Sequence, residues 1–590
     1  MGDASLQTHR MKFTSLENTR LLDQVLERGD RYRLNPQELY PWLLRPCRVS
    51  VLLVTDGGLD FSQRDFGLST FVTVLQQAAR HYVEFELTLA HLQEGVPDDA
   101  VMQGAPGIAR SIKGFRFDES AHFTPTMYDQ VWLFGIETNF HSGAYQHRFA
   151  NQATYPADRL SDSELKSLSE FMNGGGGLFA TGDHGLLGRC LCGSVTRARS
   201  MRLWASTSGD PQVDEVSMGG QRRNDTNRIG RDAGTQFNDQ SDDIPQRIQP
   251  ILYRRRISPF IEARFPHPLL CGPEGTLDVL PDHPHEGECV KPTDLTQTYP
   301  FDGSPEYPPP TGGGNPLEPE VIAHSTVPAG NNSDGTKTAT QPHSFGAISA
   351  YDGHRVGIGR VVTDATWHHF VNINLVGVVG LPDNTVKGRG FLASPEGEAH
   401  LENIKAYYRN IAVWISSASS HNCFRRKLLW GLLYQHRIME AVLATPDLSL
   451  REANVSLLYE LGTHARDVLG RVASRCQTER LILDLVLPTI PELIPEIDPW
   501  EPPIPDPDPE PRLPWFDPTP LLSMALGGAL VALREAFPFP GTEIAEEVDE
   551  RADDLIERGV RVALDGGLQS LGTTLERFAR LSETRREQGE

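Results

Sequence analysis

Cysteine is scarce in this chain. Seven residues in 590, an odd number scattered from Cys47 to Cys476, lack the dense, even spacing of a disulfide scaffold. That distribution predicts a reduced, cytoplasmic protein. Long apolar runs are scarce as well. The best candidate, Leu521 to Leu533, has 13 residues and is followed by Arg534 and Glu535, which is too short to span a bilayer. Met1 to Arg20 is polar throughout and has no signal-peptide core. Positive charge is in deficit: 55 Lys+Arg against 78 Asp+Glu leave −23. This argues against a chain-wide footprint on nucleic acid or on an anionic membrane.

The chain does contain alternating strand and helix patterns. Val49 to Thr55 is a continuous apolar run, as expected of a strand covered on both faces. It ends at Asp56-Gly57-Gly58. A helical pattern follows over Phe66 to Arg80, then strands over Val83–Leu89 and Gln130–Gly135. Leu160 to Phe171 predicts a helix capped by Ser161 or Asp162, with Glu164 in its first turn. Glycines 174–177 end it, and Leu178-Phe179-Ala180 opens another buried strand. Phe345 to Tyr351 and Arg355 to Thr363 read as a strand pair around Asp352-Gly353. This order predicts an α/β fold: a doubly wound, mostly parallel sheet with helices on both faces.

Composition divides the chain further. Residues 1–45 read as a partly helical extension, and 46–420 as the α/β domain with long insertions at 195–260 and 291–345. A helical region follows at 421–487, then a proline-rich spacer at 488–520. The acidic helical tail is 521–590. Residues 491–590 hold 22 acids and nine arginines with no lysine, a balance of −13. Such a tail suits contact with a protein partner or is simply solvated.

In an open parallel sheet, ligands bind beyond the carboxyl ends of the strands. The residues there are Asp56, Glu137, Asp183-His184 and, after the late strand, Asp364-Ala-Thr366-Trp-His368-His369. Of two adjacent histidines at a strand end, one should face the core and the other should not. Catalytic candidates are therefore Asp56, Glu137, Asp183, His184 and His368. A loop at Asp282-His283-Pro284-His285-Glu286 could hold a divalent metal such as zinc through His283, His285 and Glu286. It reads more readily as a polar loop whose histidines hydrogen-bond the backbone. Cys190 and Cys192 are spaced for packing rather than for a Cys-x-x-Cys site. The glycines 174–177 precede a strand, so they are not a phosphate cradle. Arginines 197, 199, 202, 222, 223, 228 and 231 are suited to pairing with the abundant acids, or to an anionic ligand.

Three segments, Val49–Gly58, Val131–Gly135 and Leu160–Gly188, resemble the class I glutamine-amidotransferase-like, flavodoxin-like fold. More specifically they are similar to its trehalose-utilisation-protein branch. His267-Pro268 leading to Asp282-His-Pro-His-Glu286, Gly359-Arg360-Val361 leading to His368, and Ile411-Ala-Val-Trp414 follow that branch in order. The resemblance spans roughly 45–420 and implies a link to sugar metabolism. It also marks a departure. The turn that carries the family's nucleophilic cysteine is here Thr181-Gly182-Asp183-His184, so glutamine hydrolysis by a Cys triad is not expected.

Two functions follow from the sequence. One is a hydrolase or isomerase of a polar, sugar-like small molecule, with His184 or His368 as general base and Asp183 or Asp56 orienting it, with or without a metal. The other is a non-catalytic scaffold or ligand-binding subunit of a larger bacterial assembly, contacting partners through its insertions and acidic tail. Neither reading calls for a membrane or nucleic acid.

Overall fold

The computed structural model describes residues 46–57, 59–77, 83–135, 159–182, 188–204, 246–258, 261–281, 288–301, 303–310, 313–327, 343–377, 389–433, 438, 449–472, 475–486, 518–536 and 547–587. Its centre is a mixed sheet of 11 strands. The parallel part comprises β1 (Cys47–Thr55), β2 (Val83–His91), β3 (Ile108–Lys113), β4 (Gln130–Gly135) and β5 (Gly177–Gly182). The short strand β6 (Arg202–Leu203), β7 (Glu288–Cys289), β8 (Glu320–Val327), β9 (His343–Tyr351) and β10 (Val361–Asp364) follow, and the two-residue strand Gln249–Pro250, paired with β8, completes the sheet. The order is β3-β2-β1-β4-β5-β10-β9-β7-β6. The first six strands are mutually parallel, and β9 turns antiparallel to β10.

Strand β1 shows why the sheet is covered on both faces. Val49, Val51 and Leu53 point into one core with helices α1 (Ser69–Gln76) and α3 (Pro395–Trp414). Leu52 and Val54 point into another with α2 (Asp162–Asn173). The α2 start is the expected capping box. The Ser161 hydroxyl accepts the Glu164 amide at 3.3 Å, and the Glu164 carboxylate accepts the Ser161 amide at 3.0 Å. The strand pair expected at 345–363 is present, but residues 353–356 form a 3-10 turn and β10 starts only at Val361. The glycine run permits close packing. A Cβ on Gly177 would lie 1.8 Å from the Ile415 carbonyl oxygen, so only glycine lets the end of α3 approach β5 there.

The C-terminal half is helical: α4 (Ala418–Leu433), α5 (Val455–Val472), α6 (Arg475–Val486), α7 (Thr519–Ala536) and α8 (Glu547–Glu587). The apolar run 521–533 is buried on every side in α7, and no helix among the described residues is long and apolar enough to cross a membrane. Helices α7 and α8 share one core with α4, α5 and α6. Arg425 and Arg426 of α4 reinforce it by donating to the Asp553 carboxylate at 2.8 and 2.7 Å.

The cysteine expectation needs correction. Cys47 at the start of β1 and Cys423 in α4 form a disulfide across 376 residues, with Cα atoms 6.0 Å apart. Cys271 is disulfide-bonded too. Odd parity and wide spacing conceal pairs that only the tertiary fold brings into bonding range.

Candidate active site at the carboxyl edge

Strands β1, β4, β5 and β10 all end at one edge. The chain leaves β1 towards β2 on one side and returns with β4 on the other, so β1 and β4 flank the switch point of the sheet. Asp56 follows β1 and is fully buried. Glu137, Asp183, His184, His283, His285 and Glu286 lie outside the described residues. Of the predicted site residues, Asp56 and His368 are thus the described ones, and both belong to this edge.

The densest polar cluster here forms around Asp364, the last residue of β10. One carboxylate oxygen is 2.6 Å from Nδ1 of His369 and accepts the Thr366 amide at 3.2 Å. The other accepts the Tyr407 hydroxyl at 2.7 Å. Tyr408, next along α3, donates its hydroxyl to the His369 carbonyl. Asp364, His369, Tyr407 and Tyr408 are all fully buried. Burial, and then the Asp364 carboxylate, raise the Tyr407 phenol well above its ordinary pKa, so it stays a neutral donor.

The histidine turn is fixed by local chemistry and by aromatic packing. Thr366 caps the 3-10 turn Trp367–His369, its hydroxyl accepting the His368 amide at 3.2 Å. Because this is a turn and not a strand, the two histidines do not alternate in and out, as the sequence suggested, and both are buried. His368 stacks on Trp367 at 4.3 Å and has Nδ1 3.2 Å from Oδ1 of Asn374. Phe370 is wedged among Phe71, Phe134, Phe179 and Tyr408, with ring centroids 5.1–5.4 Å away. That packing leaves the turn little freedom to shift.

A cation joins the strand ends. Arg202 donates to the carbonyls of Gly182, at 2.5 Å, and Ala365, at 2.8 Å, while its guanidinium lies 4.2 Å from the Trp204 ring centre. Of the other arginines of the first insertion, Arg199 pairs with the buried Glu306 carboxylate, which also accepts the Arg197 backbone amide, while the Arg197 guanidinium donates to the Glu306 carbonyl and to Asn173. Arginines 222, 223, 228 and 231 lie outside the described residues. Cys190 and Cys192 are buried packing residues. The Cys192 thiol contacts the Thr181 carbonyl at 3.5 Å, and burial pushes its pKa well up, with Asp56 adding to the effect. It is not an activated thiolate.

Three of the motif residues behind the family resemblance, His267, Arg360 and Trp414, meet at the opposite, amino edge. Arg360 binds the Asp352 carboxylate through Nε and Nη2, at 2.6 and 3.2 Å, and donates to the Trp414 carbonyl at 3.0 Å. Burial alone would raise the Asp352 pKa, but the guanidinium overrides it and holds the carboxyl well below its usual range. His267 packs edge-on against Trp414 at 5.3 Å. His354 and His421 stand 5.4 Å apart beside Arg360. Burial first, and then arginine charge, lower these histidines to about 3 for His267, about 2 for His354 and about 4 for His421. All three are held neutral, which suits structure and not proton transfer at neutral pH.

Sequence reasoning placed His368 at the site but passed over Asp364, His369 and Tyr407 as participants. The available signal was an acid at a strand terminus followed five residues later by a histidine. Comparison with protein-family models, with curated proteins and with solved structures found no match for this chain.

Proposed function

We propose that the chain is a hydrolase or isomerase of a polar, sugar-like small molecule, acting at the carboxyl edge of an amidotransferase-like, flavodoxin-like sheet without the family's nucleophilic cysteine. The observation that carries this reading is the buried hydrogen bond from His369 Nδ1 to Asp364. With its proton on Nδ1, the imidazole keeps its lone pair on Nε2, the arrangement of an oriented general base. The carboxylate also stabilises the imidazolium formed when a proton is taken up. Tyr407 fixes the second carboxylate oxygen and so the plane of the pair. The order β2-β1-β4-β5-β10 supports the flavodoxin-like reading, with β3 added outside β2. Asp56 stands next to the switch point, where a polar substrate would approach.

A metal is not needed for these roles. Among the described residues there is no group of three His, Cys, Asp or Glu placed to hold one. Zinc would fall to His283, His285 and Glu286. Metal analysis of wild type and of a His283→Ala/His285→Ala variant tests that assignment: metal lost in the variant supports it, and equal metal in both removes it.

The complete burial of Asp364 and His369 favours the second reading, a non-catalytic subunit in which the network only fastens α3 to the sheet. Substitution separates the two. In the enzyme reading, His369→Gln and Asp364→Asn keep the fold and abolish turnover in a screen of sugars and glycosides. In the scaffold reading they alter stability alone, and wild type turns over nothing.

A further inference from the structure

Among the described residues, helix α8 outruns its support. It packs antiparallel on α7 through Ile556, Val560 and Leu564, all buried. A Cβ on Gly567 would touch Met524 and Leu521 in the first turns of α7, whereas one on Gly572 would meet nothing within 4 Å. Helix α7 begins at Thr519, but α8 continues to Glu587. The overhang of 568–587 is about 30 Å long at 1.5 Å per residue. The apolar face does not stop where its cover does: Leu568, Leu571, Leu575, Phe578 and Leu581 are 44, 38, 58, 65 and 62 % exposed.

We propose that this uncovered face of α8 is a self-association surface, pairing with the same face of a second copy of the chain as a two-helix coiled coil. Leu568, Leu571, Leu575 and Phe578 step by three, four and three residues, the heptad seam that a second helix fills by knobs-into-holes packing. Charge permits a like partner. The chain as a whole carries −23, but residues 568–587 hold four arginines and three acids, so two overhangs meet without net repulsion. The same near-neutrality gives little attraction to an anionic membrane, which the rest of the surface would repel. The exposed side chains offer on the order of 500 Å² per chain, and a symmetric pair reaches the roughly 1,000 Å² that a specific interface needs.

Sedimentation equilibrium of the full chain over about 1–100 μM tests this, using wild type, Leu575→Glu/Phe578→Glu and, as control on the opposite face, Thr573→Glu. Wild type and control are expected to reach twice the 65.4 kDa of one chain. The double variant should stay at single-chain mass, with self-association at least about 100-fold weaker and an unchanged circular dichroism spectrum. Because both replaced residues are more than half exposed, the fold does not depend on them. A wild type of single-chain mass throughout, or a double variant that still doubles, overturns the proposal. So does a monomeric wild type that binds phosphatidylserine vesicles through these residues.

Discussion

The two edges of one sheet carry similar residue types and hold them in different surroundings. At the amino edge, His267, His354 and His421 sit beside Arg360 and near Arg480, are held neutral, and lie next to a bidentate Arg360–Asp352 pair. The Cys47–Cys423 bridge ties the same edge to α4. At the carboxyl edge, His369 faces a carboxylate instead, with Tyr407 and the Thr366 amide completing that carboxylate's bonds. Burial first, and then arginine charge, holds the three amino-edge histidines neutral, whereas the carboxylate fixes the orientation of the His369 ring. Residue identity therefore says less about a histidine's state than the burial and the partners around it.

Four experiments would break or sharpen that contrast. The largest effect is expected at the covalent tie. Cys47→Ser/Cys423→Ser should lose about 4 kcal/mol of stability, because it frees a very long loop in the unfolded chain. Denaturant unfolding under non-reducing conditions checks this, and an unchanged midpoint would separate the bridge from the edge's stability. Next, Arg360→Met leaves the Asp352 carboxylate without its guanidinium and should cost about 3 kcal/mol by the same assay.

Acid should weaken the amino edge further. The three histidines have folded pKa values below the unfolded 6.5, so between 6.5 and about 4 the unfolded chain binds more protons than the native one. Their contribution is complete above pH 6.5 and declines as the pH falls towards about 4, the value for His421. The charged groups facing these histidines are Arg360, Arg480, Asp352 and Asp484, and Asp352 is held well below the usual carboxylate range by Arg360. Melting temperature measured from pH 8 to 4 should fall below pH 6.5. The fall should be shallower in a His421→Gln variant, and equal slopes would contradict the assignment. The smallest stability change, about 1–2 kcal/mol, is expected for His369→Gln, which removes one buried hydrogen bond. In the enzyme reading proposed above, the same variant loses all turnover. A variant that keeps turnover would place the base elsewhere at the edge.

Much of the framework was legible in the residues. The uninterrupted apolar runs at 49–55 and 130–135 allowed only strands covered on both faces, and Ser161 with Glu164 announced the cap of α2. Of the glycines 174–177, Gly176 and Gly177 serve close packing, against Phe171 and Ile415. The site was harder to read, for three physical reasons. Strand alternation does not apply to His368 and His369, because Thr366 caps them into a turn. Tyr407 sits in the apolar stripe of α3 and looks like core until its hydroxyl is seen to reach Asp364. Cys47 and Cys423 are too far apart in the chain for any spacing rule. Arg360 and Trp414, read as family markers, turned out to hold the amino edge together.

The most direct test is ligand-induced thermal stabilisation. Wild type, His369→Gln and His421→Gln would be melted at neutral pH with and without a panel of mono- and disaccharides that includes trehalose. The expected result is a rise in melting temperature with at least one sugar for wild type and His421→Gln, absent for His369→Gln. No rise in wild type with any sugar, or an equal rise in all three proteins, would contradict a sugar-binding active site at the carboxyl edge.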